Sequence, residues 1–222
     1  MNNLENKNNI AAVIPFFNER RTIYQIINNT LKYVDCVIAV DDGSTDDSLS
    51  KITENKKIEL LKIKVNRGKG FALREGLNEA VKKGYSRLIT IDADLQHNPD
   101  EIPLLIYELN NFDIVIGNRL NNLGNMPLHR RMSNKITSFL LSLKTGKKII
   151  DSQCGFRAYS AEVIKNINTV KNGYEAESEI LIKASRKGYK IGFTDISTIY
   201  GNEESKISPV KTTFNFVKVL FN

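Results

Sequence analysis

Three features of this 222-residue chain predict an α/β domain on a mainly parallel, doubly wound sheet with helices on both faces: short β-branched apolar runs, amphipathic stretches between them, and polar clusters after the runs. The first run is Ile10 to Ile14. Val34 to Val40, Ile58 to Ile63, Leu88 to Ile91 and Phe112 to Ile116 come next, each of strand length. Ile23, Ile26, Ile27 and Leu31 share one helical face; Leu73, Leu77, Ala80 and Val81 share another, on a helix that Gly84 closes. Strands separated by helices pair in parallel, and loops at their carboxyl ends gather on one rim. Four polar clusters lie there: Pro15-Phe16-Phe17-Asn18-Glu19, Asp41-Asp42-Gly43-Ser44-Thr45-Asp46, Asn66-Arg67-Gly68-Lys69-Gly70 and Asp92-Ala93-Asp94-Leu95-Gln96. After Gly117 the alternation loosens into Arg119 to Ile150, a polar cluster at Asp151 to Arg157, then further helix and strand.

The length suits one domain, and 41% apolar with 26% charged residues matches soluble globular proteins rather than disordered or fibrous ones. Cys36 and Cys154 stand alone, without a disulfide framework or zinc-ligand spacing, as expected in a reducing compartment. Met1 to Asn9 is polar and lacks a secretory h-region, and no apolar run reaches the roughly 18 residues of a spanning helix. The net charge of +7 suits phosphorylated or anionic partners, or a solvated lysine-rich surface. Nucleic acid is not expected, because no helix-turn-helix, zinc-finger or aromatic-basic motif is present.

Asp92 and Asp94 are two residues apart at a strand end, where the period of two aims both carboxylates to one side. Such hard oxygen ligands suit Mg²⁺ or Mn²⁺ completed by substrate phosphate, with Gln96 as a further oxygen donor; the same pair also occurs in surface turns. Asp41 or Asp42 is expected to accept from a base or ribose, or to form an Asx turn; Asp46 is expected to cap the next helix. The glycines of Asn66 to Gly70 let backbone approach a ligand, with Lys69 and Arg67 as phosphate partners. Neither a P-loop nor a dinucleotide fingerprint is formed, which removes the ATPase and dehydrogenase readings. His97 and His129 are too isolated for a nucleophilic triad, and Cys154 reads as a buried small residue.

Together, in order and spacing, the four rim motifs resemble the family 2 inverting glycosyltransferases of the GT-A fold. Asp92-Ala93-Asp94-Leu95-Gln96-His97-Asn98-Pro99, Gly117-Asn118-Arg119 and Asp151-Ser152-Gln153-Cys154-Gly155-Phe156-Arg157 are similar to the branch typified by dolichol-phosphate mannosyltransferase and its undecaprenyl-phosphate relatives. The resemblance implies a catalytic domain over 10–207. It places Pro15, Phe17, Glu19, Asp41, Asp42, Lys69, Gly70 and Ala93 around the nucleotide sugar, with Asp92, Asp94 and Gln96 on metal and diphosphate. Arg119, Arg130, Arg131 and Asn134 would hold the acceptor phosphate, although the family often has Ser at position 134. Ser205-Lys206 matches a further family motif, whose usual upstream Arg is Tyr200 here.

The implied reaction moves a hexose, mannose from GDP-mannose being favoured over glucose from UDP-glucose, to a polyprenyl phosphate. A phosphate monoester has a second pKa of about 6 and needs no general base; an alcohol acceptor would, and Asp151 is then the candidate, unless it pairs with Arg157. Met132, Ile136, Phe139, Leu140 and Leu143 share a helical face near Arg130, Arg131 and Lys135. The 208–222 stretch repeats that pattern, so peripheral attachment to the cytoplasmic face of the cell membrane is expected, directly or through a small membrane subunit. The competing expectations are a soluble or polysaccharide acceptor, a phosphatase using its own Asp-x-Asp, and a non-catalytic nucleotide-sugar-binding subunit.

Overall fold

The computed structural model describes residues 9–52, 55–121 and 126–199. The expected N-terminal tail before Asn9, the Ser205-Lys206 motif with Tyr200, and the amphipathic stretch 208–222 lie outside the described residues.

Seven strands form one sheet: β1 (Ile10–Phe16), β2 (Cys36–Asp41), β3 (Ile58–Lys62), β4 (Arg87–Thr90), β5 (Ile114–Asn118), β6 (Arg157–Ser160) and β7 (Ile191–Asp195), in the order β3-β2-β1-β4-β6-β5-β7. Every pairing is parallel except those of β6, which runs antiparallel to both β4 and β5. The mainly parallel α/β prediction therefore holds, with one reversed strand that the loosened pattern after Gly117 does not reveal.

Strand β1 is buried along its whole length and so is β2, which is why both read as continuous apolar runs rather than alternating ones. Helix α1 (Ile23–Thr30) packs on β1 and β2 through Ile23, Ile26 and Ile27; α2 (Lys69–Lys82) crosses β1, β2 and β4 through Leu73 and Leu77. α2 stops just before Gly84, as its sequence implies. Next come α3 (Ile102–Glu108), against β5 and β7, then α4 (Leu128–Thr145), α5 (Ala161–Asn166) and α6 (Ala176–Arg186). α5 and α6 both touch α2, and α4 leans on α6.

Helix α4 turns its sequence pattern inside out. Asn134, Ser138 and Leu141 face inward and are buried, whereas Leu128, Met132, Ile136, Phe139 and Leu143 are each more than half exposed. A helix interior is normally apolar, so a polar inner face requires hydrogen-bond partners for every buried group. They are present: Ser138 Oγ donates to Asn134 Oδ1 at 3.1 Å, shares a hydrogen bond with the Ser152 hydroxyl at 3.0 Å, and accepts from the Ser152 backbone at 2.9 Å. No helix among the described residues is long and apolar enough to cross a membrane.

Candidate functional site

The pair Asp92 and Asp94 stands where β4 gives out, but not as alternate strand residues. β4 ends at Thr90 and the chain turns through Ala93 to Leu95, whose φ of 60° is left-handed. Asp94 Oδ1 accepts from the Gln96 backbone at 3.0 Å, so a side-chain turn, and not the pleat, sets its direction. Asp92 is pressed from behind by the loop before β6: a Cβ on Gly155 would stand 2.5 Å from its Oδ2. Thr90 Oγ1 donates to the Gly155 carbonyl at 3.0 Å and holds that loop in place.

Lys69, the first residue of α2, reaches Asp92 with an Nζ–Oδ1 distance of 2.7 Å. Burial pushes the Asp92 carboxyl pKa up; the Lys69 charge, with smaller help from His97 and Arg119, outweighs it and holds the group below the ordinary carboxylate range. On its other side Lys69 faces Glu177 of α6 at 3.5 Å, with the Tyr174 ring centroid 5.6 Å away. The glycines around Lys69 serve this packing. Gly70 N donates to the Asn172 carbonyl at 2.7 Å, and a Cβ on Gly70 would stand 2.5 Å from the Gly173 carbonyl oxygen. At Gly70 the close backbone approach that the sequence led one to expect is made by the chain's own 172–173 segment.

Asp42 is likewise a clamp, its two oxygens accepting from Arg67 N at 2.9 Å and Gly68 N at 2.8 Å. Asp41 Oδ1 accepts from Ser44 N at 2.8 Å, the Asx turn expected as one alternative. Pro15 is buried within β1, and Ala93 is buried beside the pair. Glu19, after Phe17, starts the α1 turn, its carbonyl accepting from Thr22 N and Ile23 N.

The second half of the site centres on Asp151, which is fully buried. Arg119 grips it with Nε at 2.8 Å and Nη2 at 2.9 Å; Arg119 N adds a contact at 3.1 Å and Asn134 Nδ2 one at 2.6 Å. Burial raises the Asp151 carboxyl pKa, but this set of donors lowers it below the usual range overall. A carboxylate so occupied is a poor proton acceptor, which removes the geometric basis for Asp151 as a base. Its partner is Arg119 and not Arg157. Arg157, also fully buried, spends its guanidinium on the carbonyls of Cys154 (2.7 Å), Ser152 (2.8 Å) and Glu177 (3.2 Å), tying the 152–154 loop to α6. Asn134 lies in this network, away from the surface. Arg131 Nε donates to the Met126 carbonyl at 2.8 Å, and Arg130 is half-buried on the first turn of α4. Cys154 is buried and its thiol pKa is pushed up to about 12 by burial, as suits a packing residue.

Sequence reasoning missed Glu177 and set aside His97. Glu177 lies in Glu175-Ala176-Glu177-Ser178-Glu179, an acidic helix start that reads as a solvated N-terminus favoured by the helix dipole. In the fold Glu177 and Glu179 are buried, and Glu179 Oε2 accepts from Val170 N at 3.0 Å and Lys171 N at 2.9 Å. His97 is buried against Phe156, ring centroids 5.5 Å apart, with no hydrogen-bond partner for Nδ1 among the described residues. Its own DADLQH run was the available signal.

Among the described residues no three His, Cys, Asp or Glu side chains are gathered to cage a metal ion. The donors at hand are Asp92, Asp94 and Gln96. Two carboxylates and an amide fit a hard divalent ion that keeps waters and takes diphosphate oxygens, and Asp92 is held in the charged form this needs.

Residues 11–167 match the model of "Glycosyl transferase family 2". The chain is 34% identical to the UDP-N-acetylglucosamine–dolichyl-phosphate N-acetylglucosaminyltransferase of Methanococcus voltae, over 86% of each protein. It is 31% identical to the dolichol-phosphate mannosyltransferase of Pyrococcus furiosus, over 96% of this chain and 62% of that one. In three dimensions it resembles glucosyl-3-phosphoglycerate synthase from Mycobacterium tuberculosis, solved with Mn²⁺, uridine diphosphate and phosphoglyceric acid. The TM-score is 0.71 at 20% identity, over 96% of this chain and 75% of the other, and that likeness bears on the fold alone.

His97 yields a pH prediction. Burial first, then the Arg119 charge, lowers its pKa from 6.5 to about 4. The unfolded chain binds the proton more tightly, so stability falls as pH drops from 6.5 towards 4 and levels off below. Chemical denaturation across this range should show wild type losing on the order of 3 kcal/mol more than His97→Gln; parallel curves would contradict it.

Proposed function

The chain belongs to glycosyl transferase family 2, and on that premise we propose that it moves a sugar from a nucleotide-sugar donor to a polyprenyl phosphate, inverting the anomeric carbon. The observation that carries this reading is Asp151, saturated by Arg119 and Asn134 beside the Asp92–Lys69 pair. An acceptor hydroxyl would need a base; a phosphate monoester is already anionic at neutral pH and needs a positioned cation instead. Arg119, oriented by Asp151, is that cation, with Arg130 and Arg131 at the entrance from α4. The names of the Methanococcus and Pyrococcus relatives support a dolichyl-phosphate acceptor.

In the proposed reaction an acceptor phosphate oxygen forms a bond to the anomeric carbon as the bond to the donor diphosphate breaks, and the electron pair leaves with the nucleoside diphosphate. Asp92, Asp94 and Gln96 would hold Mg²⁺ or Mn²⁺, which would supply charge stabilisation to the leaving diphosphate. Pro15, Phe17 and Glu19 line the nucleotide side, with Asp41 and Asp42 shaping the loops beneath it. GDP-mannose, the donor favoured on sequence, and UDP-N-acetylglucosamine, the donor named for the Methanococcus relative, are the two to compare first.

The domain is taken as 10–207, with 208–222 as a second interface element. The outward stripe of α4, bordered by Lys135 and Lys144, supports peripheral attachment to an anionic membrane surface at its cytoplasmic face.

Two experiments check this reading. Purified protein is incubated with Mg²⁺ or Mn²⁺, polyprenyl phosphate and labelled GDP- and UDP-sugars. One donor should yield label extractable into organic solvent, reduced about 100-fold or more in Asp94→Ala. Label released only as free sugar would be hydrolysis of the donor by water, and that result, or no product from any donor, would overturn the proposal. Flotation with vesicles containing anionic lipid should recover wild type, with Phe139→Glu binding about tenfold less; equal recovery would remove α4 from the interface.

A further inference from the structure

Lys69 occupies an electrostatically awkward place. It is the first residue of α2, whose first turn holds no acidic residue, so its ammonium sits at the positive end of a helix dipole. Its side chain is only 18% exposed. Neither helix stability nor solvation accounts for a cation there; two carboxylates from different elements do. Asp92, beyond β4, takes the closer contact at 2.7 Å, and Glu177, on the first turn of α6, stands at 3.5 Å.

The two contacts are unequal in kind. The Asp92 contact is within charged hydrogen-bond range. The Glu177 contact is ionic only, and Glu177 Oε1 is buried without a hydrogen-bond donor among the described residues. A buried carboxylate oxygen left in that condition is costly, and a displacement of the ammonium by about 1 Å would satisfy it. The lysine stem is flexible enough to allow this. Gly155 backs Asp92 closely, and the Glu177 backbone carbonyl is held by Arg157 at 3.2 Å.

We propose that Lys69 is an exchangeable counter-ion, neutralising Asp92 until a divalent cation arrives and then passing to Glu177. This rests on the reading of Asp92 and Asp94 as the metal-binding pair. Lys69 is then a positioning residue: it keeps Asp92 charged and aimed, and competes with the metal for it. Glu177 is the acceptor that makes the exchange inexpensive, and it couples metal loading to α6 and to the 170–176 segment lying across the start of α2. Without Glu177 the displaced ammonium would be buried with no anionic partner, and the divalent ion would have to overcome that penalty.

The test is Mn²⁺ binding, read from the electron paramagnetic resonance signal of free Mn²⁺ in protein without nucleotide, then with UDP or GDP. Lys69→Met keeps the stem and removes the charge, so Mn²⁺ should bind about tenfold more tightly than to wild type without nucleotide. Glu177→Gln keeps the shape and removes the receiving charge, so binding should weaken by about tenfold. Circular dichroism melts establish that each variant is folded, and the opposite directions separate charge exchange from general damage, which would weaken both. Unchanged or weaker binding by folded Lys69→Met, or unchanged binding by folded Glu177→Gln, would overturn the exchange. Failure of wild type to retain Mn²⁺ even with either nucleotide would instead overturn the metal reading beneath it, and the exchange with it.

Discussion

The ion pair between Lys69 and Asp92 is the interaction on which the arrangement of this site depends. A carboxylate at the end of a buried strand loses much of its hydration, and it stays charged only if a cation is brought to it. That cation comes from the start of α2, so the loop from β3 into α2 has to be held against the rim. Asp42 grips the Arg67 and Gly68 backbone, and Asn172 caps Gly70. Asn172 is positioned in turn by a segment whose Val170 and Lys171 amides are held by Glu179. One charge pair thus recruits four separate stretches of chain.

Arg157 performs the matching task for the other half. Its three carbonyl contacts bind the 152–154 loop to α6, and that loop brings Gly155 against Asp92 and sets Asp151 on Arg119. The Lys69–Asp92 and Asp151–Arg119 halves therefore share one support, the first turn of α6. In the proposed reaction the work is divided unevenly: the rim after β1, β2, β3 and β4 would take the donor diphosphate, and Arg119 and α4 would meet the acceptor.

Much of this is legible in the sequence, and the rest is hidden for physical reasons. The β1 and β2 runs are unambiguous because strands buried on both faces must be apolar throughout. The Asp pair is legible in place but not in geometry, because Asp94 is aimed by its own hydrogen bond to Gln96 N after the strand has ended. The glycines beside Lys69 signal a close approach, but a glycine does not say what approaches, and here at Gly70 it is backbone 102 residues further on. Asp151 and Arg119 lie 32 residues apart, a pairing that no local pattern encodes, so the nearer Arg157 is the natural partner to consider. The periodicity of α4 is visible, but periodicity alone does not say which face turns outward. Glu177 is hidden because a helix dipole explains an acidic first turn without any site.

Paramagnetic broadening by Mn²⁺ tests the central claim most directly, that the β4 end is where metal and nucleotide diphosphate meet. With an isotopically labelled protein and substoichiometric Mn²⁺ in the presence of UDP or GDP, the amides of Asp92 to Gln96 and of Gly155 should broaden first, while those of α3 persist. Broadening that is uniform, or centred away from the Asp92 turn, would contradict it.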